Sequence, residues 1–347
     1  MKRKYSNNQI KSAGKILKEP SNYTPSEIAF AQTVLTYWRT IHSYPINTFQ
    51  ATLRDKLKRL RFNGALVAQR LKRVVSIVSK LERFPNMKLS TMQDIAGLRA
   101  IVKNVTQVRV LEQNYKDSNF KHILKDNKDY IHAPAPSGYR GVHLIYQYVG
   151  NHKELNGLRI ELQIRSKIQH IWATAVETMG TFLESSLKSS QGPKDWLEYF
   201  ALVSAGFSIM EQCPIPNKFE GIDPKAIFQR IVNDSGRLKV EENLSAFTVA
   251  AEQIAKKRVN SKYNLIVLNI KKRVVRVTKY SARQLEQANI DYTNIERQIN
   301  QDAPIQAVLV STGSIDSLRK AYPSYFLDTR EYLKKLNLIN NRLLKMK

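Results

Sequence analysis

The spacing of apolar and polar residues changes several times along the chain and predicts distinct regions. Between residues 25 and 65, apolar residues recur every three or four positions, which is typical of amphipathic helices. Residues 66–185 combine short alternating runs with helical stretches, and helical spacing then continues. We therefore predict, in order, a basic N-terminal helical segment, a mixed α/β domain, a helical connector and a C-terminal module: 1–65, 66–185, 186–260 and 261–347.

The C-terminal region returns to strand spacing. The runs YNLIVLNI and RVVRVTKY, separated by Lys271 and Lys272, predict a hairpin. A polar helix, the apolar strand IQAVLVST and a helix beginning near Ser314 follow. This β-β-α-β-α order predicts a small separate module. The chain as a whole is predicted to be α+β, with extra helical segments around the mixed domain.

One strand of the mixed domain, GLRIELQIRS at residues 157–166, alternates strictly. One face is aliphatic, and the other carries Arg159, Glu161, Gln163 and Arg165. That polar face is either a solvated edge or the floor of a site. The next segment, SKIQHIWATAVETMG, places apolar residues on one helical face and is predicted to pack in the core.

A second segment, QDIAGLRAIVKNV at residues 93–105, places an acidic residue before an apolar strand. Asp94 and Arg99 have opposite parity, so a regular strand would point them apart. A bulge or bend at Gly97 is predicted to bring both to one side. The alternative interpretation is that Asp94 is an ordinary turn residue.

The third segment, QRLKRVVSIVSKL at residues 69–81, is rich in cations. Arg70 and Lys72 share a face in an extended chain, whereas Ser76 and Lys80 share a face in a helix. A strand-to-helix junction near Arg73 would aim all four side chains in one direction. The alternative is a solvated basic helix.

The fourth segment, PAPSGYRGVHLIY at residues 134–146, is a turn that enters a strand. Tyr139 and His143 are predicted to face the same way, and the segment lacks the spacing of a phosphate-binding loop. A tyrosine on a rigid strand suits stacking on a base, although a core aromatic is the simpler alternative.

The charge of the chain favours polyanionic partners. It has 56 Lys and Arg against 29 Asp and Glu, a net charge of +27, and the first 90 residues contribute 18 basic and 4 acidic side chains. Nucleotides or nucleic acid are the expected ligands. The single cysteine, Cys213, excludes an internal disulfide and a thiolate zinc site. With no apolar signal segment or membrane span, we expect a cytoplasmic protein.

Taken together and in this order, the four segments resemble the synthetase domain of the RelA/SpoT family, in particular its small single-activity members. The motifs on which this resemblance rests are R-x-K-x3-S-x3-K, DIAGLR, KDYIHAPAPSGYRGVH and ELQIR with its following helix. The resemblance implies a nucleotidyltransferase-like mixed β-sheet flanked by helices over residues 66–185. It also implies a Mg²⁺-dependent enzyme that transfers the β,γ-pyrophosphate of ATP to the 3′-hydroxyl of GDP or GTP. The products are (p)ppGpp-type alarmones of the stringent response.

The resemblance implies a role for each matching residue. Two arginines would sandwich the adenine of ATP, two lysines would hold its phosphates, and a serine would add a polar contact. These ATP-binding residues are Arg70, Arg99, Lys72, Lys80 and Ser76.

The remaining matches concern the metal and the acceptor. Asp94 would bind Mg²⁺, and Glu161 would join the metal site and activate the 3′-hydroxyl. Tyr139 would stack on the guanine. Three more residues would line the acceptor side: His143, Gln163 and Arg165.

Two departures from the family pattern leave the acceptor open. Ala135 stands where relatives have a phosphate-binding lysine, and Gly141 where they have a serine. The loss of the lysine weakens the case for GDP or GTP and raises an alternative acceptor, the 3′-CCA end of tRNA, which toxic small synthetases modify to block translation; alarmone synthesis stays the first expectation. The C-terminal module would then be a regulator or antitoxin, as in fused toxin–antitoxin synthetases of the CapRel type. None of the six histidines is followed by Asp, so no hydrolase activity is expected.

The expected partners follow from the charge of the chain and from the family resemblance. They are ATP as donor, a guanosine nucleotide or tRNA as acceptor, and RNA bound through the basic surface. A second copy of the chain, or a regulatory protein at the C-terminal module, is a further alternative. No membrane partner is expected.

Overall fold

Eight strands form one sheet in the computed structural model, which describes residues 3–183, 187, 192–244, 263–269, 272, 274–298, 305–310 and 329–346. The strands are β1 Leu66–Leu71, β2 Ala96–Val102, β3 Ile123–Asp129, β4 Val142–Gln147, β5 Arg159–Ser166, β6 Tyr263–Asn269, β7 Val274–Tyr280 and β8 Ile305–Val310. Their order is β3-β4-β5-β2-β1-β8-β6-β7. Only β2 and β5 run parallel among these pairs, so the sheet is mixed.

Ten helices of ten or more residues flank the sheet within the described part of the chain. They are α1 Asn7–Lys18, α2 Pro25–Ile41, α3 Ser43–Arg59, α4 Val74–Arg83, α5 Val105–Asp117, α6 Lys167–Phe182, α7 Lys194–Glu211, α8 Pro224–Arg237, α9 Leu285–Gln298 and α10 Arg330–Lys345. The predicted α+β class, with a mixed sheet flanked by helices and extra helical segments, is confirmed.

The aliphatic face of the central strands forms the main core. Leu98, Leu144 and Leu162 are fully buried and lie in one cluster with Phe49 of α3 and Leu111 of α5. The alternation predicted for residues 157–166 is confirmed, because the aliphatic positions of β5 are buried while three of its polar positions are partly exposed. This leaves the polar face of β5 for the cleft described below.

A second core lies among the helices. It contains Trp172 of α6, Phe207 of α7, Ile231 of α8 and Tyr332 of α10, all nearly or fully buried. The prediction that the apolar stripe of α6 packs in the core is confirmed. This helical cluster also covers Tyr139, which brings the loop before β4 against α6 and α7.

The C-terminal strands extend the same sheet. Their hairpin, β6 and β7, was predicted, and β8 lies between β6 and β1, with Val310 paired to Arg70. Helix α10 packs in the helical cluster with α8 rather than on the C-terminal strands. The C-terminal region therefore contacts the rest of the chain in two places, and the division into four domains stays a prediction. The predicted helix start near Ser314 lies outside the described residues.

The described helices include none that combines the length and the apolarity needed to cross a membrane.

Candidate active site

The junction of β1 and α4 brings two cations onto one carboxylate. Arg73 has extended backbone angles, and α4 begins at the next residue, so the predicted strand-to-helix junction is confirmed. Lys72 Nζ donates to Asp94 Oδ2 at 2.8 Å, and Lys80 Nζ donates to Asp94 Oδ1 at 2.9 Å. Ser76 lies on α4, four residues before Lys80, and is partly buried.

Asp94 reaches these lysines without distorting β2. The strand pairs in continuous register with β1 and β5, so the bulge predicted at Gly97 is wrong. Asp94 lies two residues before the strand, where the alternation of a strand does not fix the side-chain direction. A Cβ on Gly97 would meet only the Arg70 carbonyl oxygen, at 3.9 Å. The lack of a side chain at Gly97 leaves open space above this part of the sheet, between the neighbouring strands.

Three adjacent strands supply the floor of a cleft. Gly97 of β2 pairs with Arg70 of β1 and with Glu161 of β5, and Arg99 pairs with Gln163. Directly paired residues project to the same face of a sheet. The cleft encloses about 430 Å³ of space, part of it open to solvent, and is lined by Ala68, Arg70, Lys72, Asp94, Gly97, Leu98, Arg99, Glu161 and Gln163.

The predicted acceptor residues form a closed ring of hydrogen bonds with Glu161. His143 Nδ1 lies 2.9 Å from Glu161 Oε1, and Gln163 Nε2 donates to Glu161 Oε2 at 2.7 Å. Arg165 Nη2 donates to Gln163 Oε1 at 2.8 Å, and Arg165 Nε donates to the Tyr139 hydroxyl at 3.1 Å. The Tyr139 hydroxyl meets His143 Nε2 at 2.5 Å and closes the ring.

The directions of these bonds are consistent with one protonation pattern. Arg165 donates only, so the Tyr139 hydroxyl that accepts from it is free to donate to His143 Nε2. His143 then carries its proton on Nδ1 and donates to Glu161. Both arms of the ring end on the Glu161 carboxylate, which accepts at both oxygens. The ring fixes the carboxylate at the cleft.

Tyr139 and His143 share a face, as predicted, but Tyr139 is not an open platform. Its side chain belongs to the helical core and only 8% of the residue is exposed. The Arg165 guanidinium carbon lies 4.9 Å from the centre of its ring, and Tyr130 and His143 contact it edge-on. A base that stacks on Tyr139 would therefore have to replace one of these neighbours. Its role in stacking stays a prediction.

The two carboxylates are held in the ionised form. Burial raises the pKa of Asp94, but the charges of Lys72 and Lys80 lower it by more than burial raises it. The pKa of Asp94 therefore lies below its usual range. Burial likewise raises the pKa of Glu161, and the facing His143 together with the hydrogen bond from Gln163 lowers it more strongly. Ionised carboxylates are the form that a general base or a metal ligand requires.

The donor set of the cleft fits a hard cation. Mg²⁺ prefers oxygen ligands and is often held by one or two carboxylates, with phosphates and waters completing its octahedron. Asp94 and Glu161 line the same cleft and supply such oxygens. No group of three or more His, Cys, Asp or Glu residues able to hold a metal occurs in the described part of the chain.

A buried ion pair that was not predicted from the sequence anchors the loop of residues 134–141, which leads into β4. Arg140 Nη1 donates to Glu211 Oε2 of α7 at 2.8 Å, and the two side chains are 1% and 6% exposed. Ser204 of α7 donates to the carbonyl of Gly138, whose φ is +86°. A Cβ on Gly138 would lie 2.8 Å from Ser204 Cβ, so only glycine fits this contact. The partners are 66 and 71 residues apart, and no local pattern signals them.

We expect Glu211→Gln to destabilise the fold by about 3 kcal/mol, because removing one partner leaves the Arg140 charge buried without its counterion. The measurement is urea denaturation followed by tryptophan fluorescence, since Trp172 and Trp196 lie in the adjoining helical cluster. The matched control is Glu198→Gln on the same helix, where an exposed ion pair with Arg230 contributes less than about 1 kcal/mol. Equal unfolding curves for the two variants would contradict this role.

Ala135 lies in the turn that precedes Tyr139. Its N–H donates to the Tyr139 carbonyl at 3.1 Å, and its carbonyl accepts from Gly138 at 2.8 Å. Its methyl group is partly buried against the helical cluster. An alanine side chain carries no charge, so this position provides no cation to the cleft.

Comparison with known proteins identifies the segment that forms this cleft. Residues 69–181 match the family model described as a region found in RelA / SpoT proteins. The GTP pyrophosphokinase YjbM of Bacillus subtilis is 36% identical over 115 residues, which cover 31% of this chain and 52% of the relative. The GTP pyrophosphokinase YwaC of the same organism is 33% identical over 112 residues, with coverages of 30% and 52%. The chain thus spans about half the length of these two relatives.

A solved structure with partial similarity is the small alarmone synthetase 1 from Bacillus subtilis bound to its product pppGpp. The match has a TM-score of 0.43 and 24% sequence identity, and covers 49% of this chain and 88% of the other. The small alarmone synthetase 2 from the same organism matches with a TM-score of 0.43 and 21% identity, at coverages of 50% and 92%.

Proposed function

We propose that this chain, whose residues 69–181 form a RelA/SpoT-family domain, is an ATP-dependent pyrophosphokinase. It transfers the β,γ-pyrophosphate of ATP to the 3′-hydroxyl of GDP or GTP and makes a (p)ppGpp-type alarmone. The observation that carries the proposal is the meeting of Asp94 and Glu161 with cations from β1 and α4 in one cleft. Similarity to two GTP pyrophosphokinases, over 115 and 112 residues, supports it.

The donor side binds ATP by charge and by stacking. Lys72 and Lys80 neutralise the triphosphate: as ATP binds, both ammonium groups exchange their contacts with Asp94 for contacts with phosphate oxygens, which would leave the Asp94 carboxylate able to hold a cation. Arg70 and Arg99 lie on neighbouring strands of the cleft floor, and their planar guanidinium groups suit stacking on the adenine. Ser76, one turn before Lys80 on α4, adds a polar contact near the phosphates.

Glu161 is the proposed general base. As the 3′-hydroxyl oxygen bonds to the β-phosphorus, its proton passes to a Glu161 oxygen. The bond from the β-phosphorus to the oxygen that bridges the α-phosphorus breaks, and AMP leaves with that oxygen. His143 and Gln163 hold the base in place through their hydrogen bonds. Such transfer depends on in-line positioning and charge neutralisation more than on covalent chemistry.

Asp94 is the proposed principal ligand of a Mg²⁺ ion, and Glu161 the second. When bound, the ion neutralises charge on the transferring phosphates. The chain's own contribution is to hold both carboxylates ionised at the edge of the triphosphate site.

A second candidate acceptor is the 3′ end of tRNA, which the same transfer would block. Two features support it: Ala135 stands where the family resemblance implies a phosphate-binding lysine, and the net charge of +27 suits a large polyanion. In that case the protein is toxic in cells, and the C-terminal region serves as its regulator or antitoxin. With either acceptor, we propose that the protein is a synthetase without hydrolase activity.

The test is AMP release by purified protein supplied with ATP, MgCl₂ and one acceptor at a time: GDP, GTP or bulk tRNA. We expect AMP in equal amount to the acceptor consumed, with at least one acceptor. The control contains tRNA whose 3′ end has been oxidised with periodate, which removes the attacking hydroxyl. Absence of AMP with all three acceptors would contradict the proposed function.

A further inference from the structure

Helix α9 of the C-terminal region places a carboxylate at the start of α4. Glu296 Oε1 accepts from the backbone N–H of Val74 at 3.1 Å, and Glu296 Oε2 lies 2.6 Å from Arg39 Nη1 of α2. The Arg39 and Glu296 side chains are only 4% and 6% exposed. Burying two charges costs desolvation free energy, which their mutual attraction has to offset. The pair joins segments that are far apart in the sequence.

Arg39 of this pair also holds the backbone of Lys72, one of the residues proposed to bind ATP. Arg39 Nε donates to the Lys72 carbonyl at 3.0 Å, and the Lys72 N–H donates to the carbonyl of Ile95 at 2.8 Å. Both backbone groups of Lys72 are therefore held, one of them through Arg39. The Lys72 ammonium contacts Asp94, so Arg39 holds the backbone of a residue whose side chain lies at the cleft.

The start of α4 has no cap of its own. Arg73 makes no side-chain capping bond, so the N–H of Val74 takes its acceptor from α9. Tyr292, one turn before Glu296, is 2% exposed, and the Arg39 guanidinium carbon lies 5.1 Å from the centre of its ring. Helix α9 thus holds Arg39 by an anion and by an aromatic ring.

We propose that Glu296 is a positioning residue of the donor side, through which the C-terminal region sets the affinity for ATP. By capping α4 and holding Arg39, it fixes the backbone from Lys72 to Val74 and so the two lysines that meet the triphosphate. Loss of the Glu296 contacts would leave the Val74 N–H without its acceptor and Arg39 without its anion, so ATP would bind more weakly. The inference rests on the proposed function only in taking ATP as the ligand of the cleft.

The test is the dissociation constant of a non-hydrolysable α,β-methylene analogue of ATP, measured by calorimetry on the full chain with Mg²⁺. We expect Glu296→Gln to raise it about tenfold, the equivalent of about 1.4 kcal/mol. The double variant Arg39→Met with Glu296→Leu removes both charges, so no charge is left buried alone. It should keep the melting temperature near the wild-type value and still bind the analogue about tenfold more weakly.

The matched control is Glu286→Gln, an exposed carboxylate on the same helix, which should bind as the wild type does. Wild-type affinity in Glu296→Gln would overturn the proposal. So would recovery of wild-type affinity in the double variant, because the pair would then serve stability alone. Binding is measured without turnover, so a wild-type protein that binds the analogue but releases no AMP would refute the proposed function and leave this inference standing.

Discussion

The Glu161→Gln variant is expected to lose about a thousandfold in the rate of AMP release. An amide cannot take the proton of the acceptor hydroxyl, and general bases typically contribute factors of this size. The amide also turns one acceptor oxygen into a donor, which opposes the N–H of His143 or of Gln163. The rate is to be measured with ATP, MgCl₂ and the acceptor that the wild-type protein uses.

Glu82→Gln is the matched control, because Glu82 lies exposed on α4, away from the cleft. It should release AMP at the wild-type rate. Circular dichroism and a thermal melt verify that the Glu161 variant is folded. Wild-type turnover in folded Glu161→Gln would show that another group takes the proton.

The second large effect is expected for Asp94→Asn, also about a thousandfold in the rate. The carboxylate is the shared partner of Lys72 and Lys80, and its loss removes the proposed metal ligand that both lysines surround. Titration of the rate with MgCl₂ tests this role, because the variant should need far more Mg²⁺ and stay slow at saturation. Asp117→Asn, at an exposed position on α5, is the control and should give the wild-type titration curve. The same curve for Asp94→Asn would contradict its role.

The polar floor of the cleft was predictable because it depends on local geometry. A strand repeats every two residues, so the aliphatic face of residues 158–164 fixed the opposite direction for Glu161 and Gln163. The junction near Arg73 was equally local, since cations at strand spacing were followed by cations at helix spacing. Neither required knowledge of distant parts of the chain.

Asp94 shows where parity arguments fail. The predicted bulge assumed that the alternation of the strand extends back to Asp94, whereas β2 begins at Ala96. Two residues of loop give the carboxylate the freedom that a bulge was invoked to supply. Strand ends are the least certain part of a sequence prediction, and an argument from parity inherits that uncertainty.

The surroundings of Tyr139 were not predictable, because they come from distant segments. Its burial depends on α6 and α7, and its loop is tied to Glu211 and Ser204, more than 60 residues away. The contact of Glu296 with Val74 spans 222 positions. A single sequence predicts the C-terminal elements but not that β8 pairs with β1, since long-range pairing leaves no periodic signal.

Pyrophosphoryl transfer is tested most directly by following the phosphate groups themselves. ATP labelled separately at the β- and γ-phosphates is supplied with the acceptor that supports AMP release. Both labels are expected to move together to the acceptor, one of each per AMP formed. Transfer of the γ-label alone with formation of ADP, or release of both labels as free phosphate, would contradict pyrophosphoryl transfer.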